Sequence, residues 1–95
     1  MSAIMKKSEM VFLNFLFNRY NIPIKLVKQT NTSDIYMGEI RCKDGSIAVA
    51  KFEKKKKDNS IFTVFDKQRR AIYQCMTLNT EGRTKSFLDK MVFGR

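Results

Sequence analysis

The sequence predicts an α+β domain: an N-terminal helix, a three- to four-stranded antiparallel sheet with a basic hairpin, and two C-terminal helices. Three observations carry that expectation. Apolar residues recur at helical spacing from Met10 to Tyr20, four short runs rich in Ile, Val, Phe and Tyr follow between polar turns, and helical spacing returns after Asp66. With 95 residues, 43% of them apolar, the chain can bury one modest core but not two.

Residues 1–7 read as a loose tail ahead of a single domain over 8–95. A helix near 8–20 follows from Ser8 as cap, from Glu9 beside the positive helix N-terminus, and from Met10, Leu13, Phe17 and Tyr20 at spacings of three and four. Val11, Phe12, Phe15 and Leu16 widen its apolar face, so other elements should pack around it. Asn21 and Pro23 end it. Strands are expected over Ile24 to Lys28, Ile35 to Lys43, Ser46 to Glu53 and Ser60 to Phe65. Asp44-Gly45 fits a two-residue hairpin turn, because glycine supplies the positive φ that such turns need. Alternation in the strand before it puts Tyr36, Ile40 and Cys42 inside and Met37, Glu39, Arg41 and Lys43 on a wet, basic face. The next two strands are apolar on both faces, as central strands covered by helices would be. Asp66 suits a helix cap, and Ile72, Cys75, Met76 and Asn79 share one helical face, giving a helix over 67–78, with a strand over Ala71 to Leu78 as the alternative. Thr84 as cap, with Phe87, Leu88, Met91 and Val92 on one side, predicts a last helix over 85–93.

Charge is the strongest functional signal. Nineteen Lys and Arg face nine Asp and Glu, a net charge of +10. Lys54, Lys55, Lys56 and Lys57 are consecutive and read as the tip of a hairpin, where a polyanion would relieve their mutual repulsion. Arg41, Lys43, Lys51, Lys67, Arg69, Arg70, Arg83 and Lys85 extend this into a candidate backbone-tracking surface. Nucleic acid is the expected partner. RNA is slightly favoured over DNA because no helix shows a clustered recognition face; the second helix offers only Gln68, Arg69, Arg70 and Gln74. Tyr36, Tyr73, Phe52, Phe62 and Phe65 are candidate stacking aromatics, although in a chain this short most must serve the core. The alternative is an inhibitor or adaptor that docks its basic face on an acidic host protein such as a nuclease, toxin or polymerase.

Enzymatic chemistry is poorly supported. The chain has no His, the usual proton shuttle near neutral pH, and its two cysteines, Cys42 and Cys75, can form neither a Cys-His catalyst nor a zinc site, so no metal or cofactor is expected. Asp44 with Glu53-Lys54-Lys55 resembles part of a metal-dependent nuclease signature, yet one strand separates the two acids by about 30 Å at 3.3 Å per residue. The four glycines are isolated and cannot cradle a phosphate. The longest apolar stretch, Met10 to Phe17, is broken by Asn14 and too short to span a bilayer, and the first helix has too few cations for a membrane-surface helix. Cytoplasmic placement with reduced thiols is therefore expected, and the exposed apolar part of the first helix leaves a dimer open. Thirteen Lys against six Arg, with abundant Ile, Asn and Phe, resembles coding from an AT-rich genome, as in small basic bacteriophage accessory proteins, including counter-defence regulators.

Overall fold

In a computed structural model of the chain, residues 5–57 and 59–94 are described. Helix α1 spans Lys7–Tyr20, and Glu9 rather than Ser8 organises its start: the Lys6 amide donates to Glu9 Oε1 at 2.7 Å, satisfying one of the N–H groups that a helix leaves unpaired. Of the expected tail, Met5 packs against the core and Lys7 already belongs to α1; residues 1–4 lie outside the described residues. At the other end Asn21 takes a left-handed conformation (φ 58°). Its amide donates to the Phe17 carbonyl and that of Ile22 to the Leu16 carbonyl, which closes the helix.

Five strands follow, against the three or four expected: β1 (Lys25–Gln29), β2 (Ser33–Arg41), β3 (Ile47–Lys55), β4 (Ile61–Phe65) and β5 (Ala71–Cys75). They form one antiparallel meander in sequence order. The Asp44-Gly45 turn is present but longer than two residues. Cys42 N–H donates to the Ser46 carbonyl, so Lys43, Asp44 and Gly45 make a three-residue loop with Gly45 at φ 88°. Lys43 is therefore a turn residue and not part of a strand.

The expected helix over 67–78 is absent: the segment is a turn followed by β5, as the alternative reading had it. Asp66 caps this turn instead of a helix, its carboxylate accepting the Gln68 and Arg70 amides while Arg69 adopts φ 65°. One C-terminal helix remains, α2 (Arg83–Met91), starting earlier than predicted. Gly82 precedes it, and Thr84 lies buried in its first turn, where its hydroxyl meets Tyr73 Oη at 2.7 Å rather than capping the helix.

Register decides the layers. Ile40 pairs with Ala48, Gly38 with Ala50, and Tyr36 with Phe52; Phe52 and Ala50 pair onward with Phe62 and Val64. These side chains share the face on which Phe12, Leu16 and Tyr20 of α1 and Leu88 of α2 are buried. The Phe12 ring lies 6.2 Å from Phe52 and 5.1 Å from Phe62, and Tyr73 stacks on Phe87 of α2 at 4.6 Å. Gly38 sits where the chain leaving α1 crosses the sheet, and a Cβ there would collide with the Pro23 carbonyl. Both helices cover this one face. The opposite faces of β3 and β4, expected beneath helices, have no described element over them, and their apolar residues stand outside the core cluster. No described helix is long and apolar enough to cross a membrane.

Candidate functional site

The uncovered face of the sheet is built in rows by strand pairing. Arg41 lies opposite Ile47, and the next row holds Glu39, Val49 and Phe65. The central row runs Lys25, Met37, Lys51, Thr63, Gln74 across all five strands. Beyond it come Lys28, Ile35, Glu53 and Ile61, then Ser33 with Lys55. Five cations thus share this face with two carboxylates, Glu39 and Glu53. Ile47, Lys51 and Lys55 are four residues apart on β3, so Arg41, Lys51 and Lys55 mark the long direction of the sheet at intervals of about 13 Å. Lys51 reaches Glu53 at 3.9 Å, and Glu53 also accepts from the Ser33 hydroxyl.

At one end of the sheet the β1–β2 and β3–β4 connections enclose a cleft of about 520 Å³ lined by Asn31, Thr32, Ser33, Glu53, Lys55, Lys56 and Lys57. Lys56 ties the two connections together, its amide donating to the Thr32 carbonyl and its ammonium to that of Thr30 at 3.0 Å. At the other end, the β2–β3 and β4–β5 turns carry Lys43, Lys67, Arg69 and Arg70, and Lys43 and Lys67 line a second cleft of about 360 Å³ together with Asp44 and Asp66. Arg70 pairs with Asp66 at 2.9 Å. Lys43 donates to the Asp89 carbonyl and lies 5.4 Å from the Phe93 ring centre.

The lysine run is not a uniform hairpin tip. Lys54 and Lys55 belong to β3, and Lys54 falls on the same side as Ala48, Ala50 and Phe52, where its side chain is only 3% exposed. It donates to Glu9 Oε1 at 2.8 Å, Ser60 donates to the other carboxylate oxygen, and Glu9 is 4% exposed. Burial pushes the Glu9 carboxyl up, but hydrogen bonds from Lys54, Ser60 and the Lys6 amide outweigh it and hold Glu9 below its ordinary value. Lys54 therefore fastens α1 to the sheet and is unavailable to a ligand. Strict alternation along Ala48, Ala50 and Phe52 is the signal that would have placed it inside.

Two further expected binding residues belong to the opposite layer. Arg83 and Lys85 lie on α2, Arg83 beside the Tyr73 ring and Lys85 paired with Asp89 at 2.8 Å. Asp89 is held down to about 2 by hydrogen bonds from Lys85 and Tyr20, and Tyr20 is pushed up to about 12 by its burial and its bond to Asp89. Of the candidate stacking aromatics, Tyr36, Phe52, Phe62 and Tyr73 face the helices; only Phe65 lies on the uncovered face. Asp44 lies in the turn before β3 and Glu53 near the far end of that strand, and among the described residues no group of three or more His, Cys, Asp or Glu is placed to hold a metal ion.

Fold and site together define a two-layer α+β protein with two helices on one face of a five-stranded meander and a basic, uncovered face on the other. Comparisons with protein-family models, with curated proteins and with solved structures find no match to this chain.

Proposed function

We propose that this chain is a non-enzymatic nucleic-acid-binding protein that prefers RNA to DNA and lays a phosphate backbone along the uncovered sheet face between its two basic ends. One observation supports it above the others: Lys25, Lys28, Arg41, Lys55, Lys57 and Arg69 have no ion-pair partner among the described residues, so their charge is unspent inside the fold. A phosphate chain neutralising them releases condensed counterions. The face carries few base-reading side chains, so it should recognise backbone and shape more than sequence.

The test is salt dependence of binding to 30-nucleotide RNA and DNA strands. Lys55→Ala, Lys56→Ala and Lys57→Ala together, and separately Arg41→Ala with Lys51→Ala, should each lower the slope of log K against log salt. The expected change is about 0.7 for every single-strand phosphate that the variant no longer neutralises. Unchanged slopes in both variants would end the proposal. A second reading draws on the aliphatic part of the same face: Ile35, Met37, Val49 and Ile61 lie between the cations, a mixture that also suits an acidic protein partner. Purification with and without nuclease treatment separates the two, because a protein partner survives the nuclease.

A further inference from the structure

The two end clefts are lined by different residue types. The one beside Lys55–Lys57 has only polar and charged residues, whose carbon stems supply its apolar surface, whereas the one between the β2–β3 and β4–β5 turns has a floor of Ile47, Ala48, Ile72 and Met91 under a rim of Lys43, Lys67 and Lys90. Ile72 is placed there by a bulge. Pairing steps from Val64 with Tyr73 to Phe65 with Ala71, which leaves Ile72 as the extra residue of β5, partly exposed at the edge of the cleft. The two rim carboxylates are already engaged. Asp44 Oδ1 accepts from the Ser46 amide at 2.9 Å and hydroxyl at 2.6 Å; Asp66 accepts the Gln68 and Arg70 amides and the Arg70 guanidinium, all at 2.9 Å. Lys67 and Lys90 make no ion pair within 4 Å among the described residues, although the Lys67 charge helps hold the Asp44 carboxyl below its ordinary value. The Gln68 side-chain nitrogen makes no hydrogen bond among the described residues and is free to meet a base edge.

We infer that this cleft is a pocket for one nucleobase with its phosphate, the ring resting on the Ile72 and Met91 floor and the phosphate meeting Lys67 and Lys90. Its volume of about 360 Å³ falls at the small end of ligand pockets, which run from roughly 300 to 1,000 Å³. A bare phosphate would leave the apolar floor unused, and an alkyl chain would leave the rim cations unused. Where the nucleotide is part of a strand, the inference rests on the nucleic-acid reading above; a free nucleotide would supply the same chemistry.

Cysteine alkylation reads the pocket directly, because Cys42 lines it and Cys75 lines a different surface depression beside Tyr73 and Arg83. AMP or UMP at about four times Kd should slow Cys42 alkylation about fivefold, as the free fraction falls with occupancy, and leave Cys75 unchanged. Inorganic phosphate should protect neither thiol. Ile72→Asp should abolish the protection and Ile72→Val keep it, with far-UV circular dichroism showing both variants folded. An RNA decamer protecting Cys42 better than its abasic counterpart identifies a strand as the source; protection by mononucleotide alone identifies a free nucleotide. No protection by any nucleotide, or equal protection by phosphate, overturns the pocket. If RNA binds with the full salt slope and Cys42 stays reactive, the pocket is lost and the surface reading stands. Mononucleotide protection without strand binding removes the surface reading alone.

Discussion

Replacing Lys54 with Met takes away a buried cation and strands the Glu9 carboxylate between Ser60 and the Lys6 amide. Breaking a buried pair by removing one partner costs about 3–5 kcal/mol. A domain of this size has about 5–15 kcal/mol in all, so the loss is a large fraction of it. At about 4–8 °C per kcal/mol for a chain of 60–100 residues, the melting midpoint should fall by at least ~12 °C. Urea unfolding of Lys54→Met, Glu9→Gln and the double variant closes a thermodynamic cycle. The double variant should regain most of the loss, because neutralising Glu9 removes the stranded charge, and the coupling should exceed about 1 kcal/mol. Lys55→Met, the neighbouring control on the uncovered face, should stay within about 0.5 kcal/mol of the parent. A loss for Lys54→Met below about 1 kcal/mol, the range of an exposed ion pair, would refute the reasoning. The result also governs any binding experiment: an alanine block over all four lysines would carry the same loss of stability and mix it with lost affinity.

Four carboxyls, Glu9, Asp44, Asp66 and Asp89, are held below their ordinary values, and acid should destabilise the fold chiefly through Glu9 and Asp89, which join separate elements. Glu9 and Asp89 are deprotonated in the folded chain at pH values where the unfolded chain binds protons, so their contribution is full above about pH 4.5 and is lost as pH falls towards about 2. A circular dichroism acid titration should show this fall, and Glu9→Gln should flatten its upper part; an identical acid profile for the variant would count against it. Gly38→Ala should destabilise by about 1–3 kcal/mol through collision with the Pro23 carbonyl, measured by thermal melting, and a change below about 0.5 kcal/mol would show that the crossing relaxes freely.

Helical spacing from Met10 to Tyr20 and turn chemistry at Asp44-Gly45 made α1 and the β2–β3 hairpin legible, because both signals are local. β5 was harder. Its bulge at Ile72 breaks two-residue alternation, and Ile72, Cys75 and Met76 then fall by coincidence at helical spacing, while Asp66 serves a turn as readily as a helix. Lys54 was hidden by its neighbours, since a run of like residues conceals which of them faces inward, and its partner Glu9 lies 45 residues away. The uncovered face was misread for a related reason: Ile47, Val49 and Phe65 look like residues under a second helical layer, and only the placement of the helices shows that none arrives among the described residues. The distribution of cations between sheet face, two ends and helical layer depends on register, which pattern alone fixed only near the one clear turn.

The meander also sets an order of events during synthesis. Each strand can join the previous one as it leaves the ribosome, but Phe12 and Leu16 on α1 find their partners only when Phe52 and Phe62 have been made. At roughly 5–20 residues per second, the interval between Phe12 and Phe62 lasts about 3–10 s. For that interval the apolar stripe of α1 lacks the strand residues it packs on in the folded chain, so the layer of helices can close only after β4 exists.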